Sequence, residues 1–159
     1  MGVNLDRVLK EFGNYVVKNA KGNLASGGHN TSGRLSDSIG YKVRDTKITF
    51  EFEQYGEFLD KGVNGVRTVK SDTPYSFTTK MPPARSLDKW TVKKGIAPRD
   101  KKGRFIPRKS LNWIIARGIF NNGIKRTLFF TKPFEEAQKK YYDKIIGAFF
   151  DDNKQKLED

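Results

Sequence analysis

Apolar residues recur at helical spacing near both ends of the chain. Between Val3 and Ala20 they lie three or four positions apart with polar residues between them, and Asn4 and Gly22 are the expected N-cap and C-terminal stop. A second amphipathic helix is predicted from Pro133 onward, because proline is favoured in a first helical turn. The apolar stripe of this last helix is Phe134, Ala137, Tyr141, Ile145, Ala148 and Phe149.

Two runs of alternating residues predict a β-hairpin between these helices. Tyr41–Arg44 and Ile48–Glu53 alternate β-branched or aromatic residues with polar ones, and a short polar connection joins them. Because side chains alternate across a strand, we expect Ile48, Phe50 and Phe52 to face the first helix together.

Short helices are predicted on both sides of the hairpin. Before it, Leu35 and Ile39 are four residues apart, as on one face of a helix, and Thr31 or Ser32 would cap that helix. After it, Tyr55–Gly62 is expected to form one or two helical turns.

The next segment, Val63–Lys80, is long and irregular, with Gly, Asn, Pro and Thr. A loop of this length in a compact domain is usually functional or disordered. An extended β-hairpin is the alternative, because Val66–Val69 and Tyr75–Thr79 have strand-like compositions.

A helix is predicted to run from Pro83 to about Lys94. Its spacing places Leu87, Trp90 and Thr91 on one inward face, so Trp90 is expected in the core.

A further helix is predicted after a basic loop over Ala97–Pro107. Ser110 is its expected N-cap and Gly123 its end. Its apolar stripe is Leu111, Ile114, Ile115, Gly118 and Ile119. Trp113 lies off this stripe, so it is expected either on a broad buried face or at a subunit contact.

These elements together predict a fold of the α+β class. A small antiparallel sheet, built on the hairpin, is packed by the N- and C-terminal helices, and the helices over 83–123 form an insert beside it. The length of 159 residues fits a single domain, predicted over residues 1–150. Residues 151–159 carry four acids against two lysines and are predicted to form a flexible acidic tail.

Positive charge is concentrated in the middle of the chain. The formal net charge is +13, and residues 61–109 contain 14 Lys and Arg against three Asp. The densest part is the loop over residues 99–109, which also contains Phe105 and Ile106. Because apolar residues in a basic loop favour an anchored contact over full solvation, we expect this loop to contact DNA phosphates or an acidic protein surface.

Several classes of function find no support in the sequence. There is no cysteine, and the single histidine, His29, lies in a glycine-rich loop, so no Cys/His metal site is expected. Nucleotide-binding and hydrolase motifs are also lacking. Glu51, Glu53, Glu57 and Asp60 give a weak indication of a metal-dependent nuclease. No enzymatic activity, cofactor or metal is therefore predicted.

The sequence also gives no indication of membrane insertion. Its apolar stretches are far too short to span a bilayer, and the N-terminus lacks the apolar core of a signal peptide. The protein is expected to be soluble and made in the cytoplasm.

Four motifs follow one another along the chain. They are a small-Gly-x-Leu-x-x-Ser-Ile pattern within residues 31–39, the hairpin, a Tyr-x-x-x-x-Asp-x-Gly turn at 55–62 and Pro-Phe-x-x-Ala at 133–137. In this order they resemble the tail-completion or head–tail joining family of tailed bacteriophages, whose turn motif has Glu where this chain has Asp60. A large extra piece, Pro82–Gly123, departs from that family. Its segments 87–90, 94–96 and 103–105 are similar to neck proteins of some larger phages.

The resemblance implies a virion structural protein, a head–tail connector that forms a homo-oligomeric ring in the phage neck. Its partners would be the portal or adaptor and the tail proteins, with genomic DNA passing through the channel. The candidate interface residues are Arg99, Lys101, Lys102, Arg104, Phe105, Arg108, Tyr55, Phe58 and Trp113.

The alternative from another class is a basic nucleic-acid-binding protein. In that case Tyr75, Phe77 and Phe105 would stack on bases beside the basic segment. A nuclease using the carboxylates named above is the third possibility.

Overall fold

The computed structural model describes residues 3–29, 31–69 and 72–158, with the backbone alone at residues 3, 156 and 158. Helices combined with one antiparallel hairpin confirm the predicted α+β class. The elements in chain order are α1 (Val3–Ser26), α2 (Arg34–Ser38), β1 (Gly40–Arg44), β2 (Lys47–Glu51), α3 (Tyr55–Lys61), a 3-10 turn (Ala84–Leu87), α4 (Asp88–Lys93), α5 (Arg108–Asn122) and α6 (Thr131–Glu158).

The contacts within the chain divide it into two compact units. The first unit contains the residues up to Gly56 together with those from Leu128 onward, and the second unit is Glu57–Thr127. The second unit includes the predicted insert over 83–123 and extends beyond it on both sides. That residues 1–150 make one domain stays a prediction.

The core of the first unit lies between α1, α6 and the hairpin. Phe12 of α1 is its aromatic centre, with ring centroids 6.1 Å from Phe50, 5.7 Å from Phe134 and 6.0 Å from Tyr141. The pairs with Phe134 and Tyr141 are edge-to-face, an arrangement that stabilises the core beyond the burial of apolar area. The predicted helical spacing is confirmed by the buried set Leu5, Val8, Leu9, Phe12, Val16, Ala137, Tyr141 and Ala148.

The predicted hairpin is confirmed, with Tyr41 opposite Phe50 and Val43 opposite Ile48. A two-residue turn joins the strands, and its first residue, Asp45, has a φ of 52°, as the tight hairpin turns require. The inward side chains of β1 and β2 are half-buried against the α1–α6 core.

Helix α1 does not stop at the predicted Gly22 but continues to Ser26. Leu24 is fully buried, and the Asn23 side-chain amide donates to the Phe129 carbonyl at 3.2 Å. These contacts offset the cost of about 1 kcal/mol for a glycine inside a helix.

The predicted cap of α2 is wrong, because neither Thr31 nor Ser32 caps it. Gly33 occupies the N-cap position with a φ of 76°, and no side chain bonds there. At the other end, the Ser38 hydroxyl donates to the Leu35 carbonyl at 2.8 Å and accepts the backbone N–H of Glu53 at 3.0 Å. This serine therefore joins α2 to the end of the hairpin.

Helix α6 starts at Thr131, two residues before Pro133, and one residue of its predicted apolar stripe does not face inward. Phe149 is 44% exposed rather than inward. Asp152 follows Ala148 on the buried face, which turns Phe149 away from α1 because successive helical residues are about 100° apart.

The acidic tail predicted as flexible continues α6 instead, to Glu158. The Asp152 carboxylate is buried and accepts the backbone N–H groups of Asn4 at 3.2 Å and Leu5 at 2.8 Å. Free N–H groups at a helix N-terminus favour a carboxylate, so this contact orders the start of the tail.

In the second unit, the described part of Val63–Lys80 is not the alternative β-hairpin. Asn64 pairs with Ser76 in a parallel bridge, and Val63 pairs with Ile124 in an antiparallel bridge. The backbone N–H groups of Val66 and Arg67 donate to carbonyls of α5 at 3.0 Å. The segment is therefore held against the C-terminal end of α5.

The inward face predicted for the helix after Pro83 is wrong at Trp90, which is 38% exposed, whereas Thr91 is buried. The chain there forms a 3-10 turn followed by the short helix α4. A buried polar contact from Thr91 to Asn112 of α5, at 3.0 Å, fixes which side of α4 faces inward.

Helix α5 begins at Arg108, with Pro107 at its N-cap, so Ser110 lies inside the helix. Its buried residues are Leu111, Asn112 and Ala116, whereas Ile114 of the predicted stripe is 51% exposed. The contact of Asn112 with Thr91 explains the difference, because it turns a polar position inward and rotates Ile114 to the surface.

Candidate functional site

The two units carry very different charge. The second unit contains 17 Lys and Arg against five Asp and Glu, a net charge of +12, whereas the first contains 14 against 13. All predicted interface residues except Tyr55 belong to the second unit. The field that attracts polyanions or acidic surfaces therefore arises from the second unit.

The basic loop is a closed turn organised by Asp100. Its ends pair, Arg99 with Phe105, and the Asp100 backbone N–H donates to the Arg104 carbonyl at 2.8 Å. The Asp100 carboxylate accepts the backbone N–H groups of Lys102 and Arg104, both at 2.9 Å, and the Arg104 Nε at 3.1 Å. The loop is therefore shaped by its own acid.

Hydrogen bonding to this carboxylate lowers its pKa. The backbone N–H of Arg104 is the largest cause holding the pKa of Asp100 below its ordinary value of 3.8, although partial burial of the carboxyl opposes the shift. Because the pKa is lower in the folded chain, Asp100 stabilises the loop above its unfolded pKa, and this stabilisation is lost as the pH falls through the folded pKa.

We therefore expect the amide resonances of Lys102 and Arg104 to shift together in acid, with a midpoint below pH 3.8. Proton NMR spectra recorded from neutral to acid pH measure this midpoint. In the control variant Asp100→Asn, the transition should disappear from these two amides. A midpoint at or above the ordinary carboxyl value would contradict the role given to Asp100.

The side chains of the basic loop divide into two groups. The Arg99 guanidinium lies 3.9 Å from the centroid of the Phe105 ring and donates to the Gly103 carbonyl at 2.7 Å. Arg99, Lys101, Lys102 and Arg104 are all exposed. Arg99 and Arg104 also bond within the loop and so help to maintain its shape. Phe105 remains 60% exposed beside them.

Arg108 belongs to a polar cluster that fixes α5 against α4. Its Nη1 lies 3.5 Å from Oδ2 of Asp88, and the Asn112 side-chain amide donates to Oδ1 of the same carboxylate at 3.1 Å. The Thr91 hydroxyl lies 3.0 Å from Asn112 Oδ1. Sequence reasoning missed Asp88 and Asn112, because two polar residues 24 positions apart give no periodic signal.

This cluster forms part of a surface that we call the α5 groove. The groove is lined by Ala84, Arg85, Asp88, Arg108, Lys109, Ser110, Asn112, Trp113 and Ile114. It consists of two hollows of about 520 and 510 Å³ that share Ala84 and Lys109. One hollow presents Trp113, 47% exposed, and Ile114, whereas the other presents Arg85 and Arg108. The groove thus combines an apolar part with a basic part.

The remaining predicted interface residues lie around α3. Tyr55 is 44% exposed. Partial burial is the larger cause that raises the pKa of its hydroxyl, and the negative charge of Glu53 is the second. Phe58 packs edge-to-face on Tyr75 at 4.7 Å, and the Tyr75 hydroxyl donates to Glu57 at 2.7 Å, which raises the Tyr75 pKa.

The first unit has its own exposed apolar surface, on α6. We call it the α6 face; its exposed side chains are Tyr142, Ile146, Phe149, Phe150 and Leu157. Part of it borders a hollow of about 710 Å³ lined by Leu9, Phe12, Ile48, Phe134, Gln138, Lys139, Tyr142, Ile145 and Ile146. Sequence reasoning missed this surface because it considered only one stripe of α6.

The carboxylates considered for a nuclease have separate partners. Glu51 pairs with Lys42 at 2.7 Å, and Glu53 pairs with Arg34 at 3.0 Å. Within residues 3–29, 31–69 and 72–158, no three His, Asp or Glu side chains lie together as metal ligands would.

In the same part of the chain, no helix combines the length and apolarity needed to cross a membrane.

Comparisons with protein-family models, with curated proteins and with solved structures each found no match.

Proposed function

We propose that the protein is a structural subunit of a tailed-phage virion, which forms a homo-oligomeric ring in the neck and joins the head to the tail. The observation that carries this proposal is the pair of exposed apolar surfaces, the α5 groove and the α6 face, on different units. Exposed apolar patches rimmed by polar residues are typical of protein–protein contacts. A ring subunit needs two different contact surfaces, one for each neighbour.

The motifs that resemble the neck family all have structural roles here. Leu35 is buried, Ser38 joins α2 to the hairpin, and Pro133 and Ala137 are fully buried at the start of α6. Gly62 has a φ of 79° in the turn after α3. This distribution agrees with a scaffold that presents its surfaces to other subunits.

The charge of +12 on the second unit favours nucleic-acid binding as a second candidate. Two of its three proposed stacking residues are engaged within the unit, because Tyr75 packs on Phe58 and Phe77 lies 6.1 Å from Phe120. Phe105 keeps an exposed ring, with Arg99 on one side.

Quantitative mass spectrometry of purified virions encoded by the same genome tests the proposal. We expect the chain in a fixed ratio to the portal protein, as a ring component requires. Its absence from intact particles would contradict a neck role.

Binding to random-sequence duplex DNA, measured over a salt titration, distinguishes the neck role from nucleic-acid binding. A ring subunit should bind weakly at every salt concentration, whereas a DNA-binding protein should bind tightly at low salt and lose affinity steeply as salt rises.

A further inference from the structure

The hairpin leaves the backbone of β2 open along its outer edge. A two-residue turn closes the hairpin between Arg44 and Lys47, so hydrogen-bonded pairs alternate with non-bonded ones along its register, and Ile48 and Phe50 belong to the non-bonded pairs. The N–H and C=O groups of these two residues therefore point away from β1. No described residue outside the hairpin forms a hydrogen bond with them.

An apolar hollow of about 710 Å³ lies beside this edge. Leu9 and Phe12 of α1, both buried, line its inner side, and Ile48 lines it from β2, whereas no described residue of β1 does so. The remaining lining comes from α6, where Tyr142 and Ile146 are exposed. The hollow therefore separates the outer edge of β2 from α6.

Aromatic rings fill the same space at the Phe50 end of the strand. The Phe50 ring centroid lies 5.3 Å from that of Phe130 and 5.8 Å from that of Phe134. The hollow begins beyond these rings, and its lining includes Phe134 and Ile48. Alternate residues of a strand are about 7 Å apart and share a face. A third strand on β2 would therefore place one inward side chain on the rings and the next one in the hollow.

Charge favours neither sign at this position. Lys139 is the charged residue of the lining, and Glu135 and Asp143 lie about one helical turn before and after it on α6. Recognition therefore depends on backbone hydrogen bonds and on apolar side chains. An extended peptide with apolar residues at alternate positions supplies both.

We propose that the outer edge of β2 binds an extended segment of a partner protein as a third strand, with its inward apolar side chains in the hollow. An unpaired strand edge is a template for such strand addition. A helix or a small apolar molecule in the hollow would leave the backbone groups of Ile48 and Phe50 unpaired. The inference goes beyond the neck role, because it holds whether or not the chain forms a ring.

A peptide of alternating valine and threonine, capped at both ends, tests the site when it is titrated into the full chain. Hydrogen exchange measured by NMR reports on each backbone amide. Before the titration, Ile48 and Phe50 should exchange faster than Thr49, which bonds to Lys42 across the hairpin. With the peptide bound, exchange at Ile48 and Phe50 should slow by at least about tenfold, and Thr49 should change little.

Two variants on α6 form a matched pair. Ile146 lines the hollow and is 38% exposed, whereas Phe150 is 66% exposed and lies outside the lining. Ile146→Ser should weaken binding of the peptide by about tenfold, because it removes one apolar contact, and Phe150→Ser should leave binding unchanged. Both side chains are exposed, and circular dichroism should show that both variants fold.

Two methylated forms of the peptide test the pairing itself. Methylation of the valine amides blocks an antiparallel third strand, and methylation of the threonine amides blocks a parallel one. Only one of the two methylated peptides should therefore lose binding, whichever direction the strand takes.

Four outcomes would overturn the proposal. The peptide would fail to bind at millimolar concentration, or it would bind without slowing exchange at Ile48 and Phe50. Equal effects of the two methylations would contradict strand pairing. Equal weakening by Ile146→Ser and Phe150→Ser would place the peptide outside the hollow. None of these results bears on the presence of the chain in particles, which mass spectrometry tests separately.

Discussion

Replacement of Gly123 by alanine is expected to lower the free energy of unfolding of the second unit by more than about 4 kcal/mol. Gly123 has a φ of 73°, where a side chain costs about 1–2 kcal/mol. Its added Cβ would meet the Val63 carbonyl oxygen, and it would lie 2.6 Å from the Gly65 nitrogen. These neighbours are backbone atoms, so the clash cannot be relieved by rotating a side chain.

The surrounding hydrogen bonds oppose any shift of the two chain segments. Val63 and Ile124 exchange both backbone bonds, at 2.9 and 2.7 Å, directly beside the glycine. Gly65→Ala should have a comparable effect, because its Cβ would meet the Asn121 carbonyl and lie 2.5 Å from the Gly123 nitrogen. The two glycines allow two backbones to touch.

The matched control is Gly118→Ala in α5, where an added Cβ would have nothing within 4 Å. There the substitution should stabilise the unit by roughly 0.5–1 kcal/mol, because alanine favours a helix interior. Denaturant unfolding followed by circular dichroism measures all three variants. If Gly123→Ala unfolds within about 1 kcal/mol of the wild type, the close backbone approach is not rigid.

The elements that the sequence predicted correctly are those with one long apolar face. In α1, α6 and the hairpin, burial of that face determines the structure, and its period is visible in the residue order. Helix ends were less predictable, because they depend on distant partners. Gly22 looked like a stop, yet Leu24 and Asn23 find contacts beyond it.

The candidate surfaces were only partly predictable. Charge located the basic loop, but the hydrogen bonds by which Asp100 closes it depend on turn geometry. The inward face of α5 was misassigned because a buried polar pair, Thr91 and Asn112, takes positions that a hydrophobic pattern assigns to solvent. The α5 groove also needs Arg85 from another segment, which no local pattern indicates.

Removal of the buried carboxylate of Asp152 is expected to destabilise the first unit strongly. Asp152→Ala should lower the free energy of unfolding of the first unit by about 2–4 kcal/mol. The carboxylate accepts two backbone N–H groups at the N-terminus of α1, from Asn4 at 3.2 Å and Leu5 at 2.8 Å. Hydrogen bonds to a charged group contribute more than neutral ones, and the positive end of the helix dipole adds to them.

Asp151 offers a matched control one residue away. It is exposed, so Asp151→Ala should change the free energy of unfolding by at most about 0.5 kcal/mol. Asp152→Asn, which keeps one acceptor oxygen without the charge, should fall between the two alanine variants. Urea unfolding gives the three values, and hydrogen exchange of the Asn4 and Leu5 amides reports the contact directly.

The exchange measurement distinguishes a cap from a general loss of stability. If Asp152 caps α1, its removal should accelerate exchange at Asn4 and Leu5 more than at Val16 in the middle of the same helix. Equal acceleration at all three amides would assign the effect to global unfolding. Equal unfolding curves for Asp151→Ala and Asp152→Ala would show that the carboxylate does not join the C-terminal part of α6 to the start of α1.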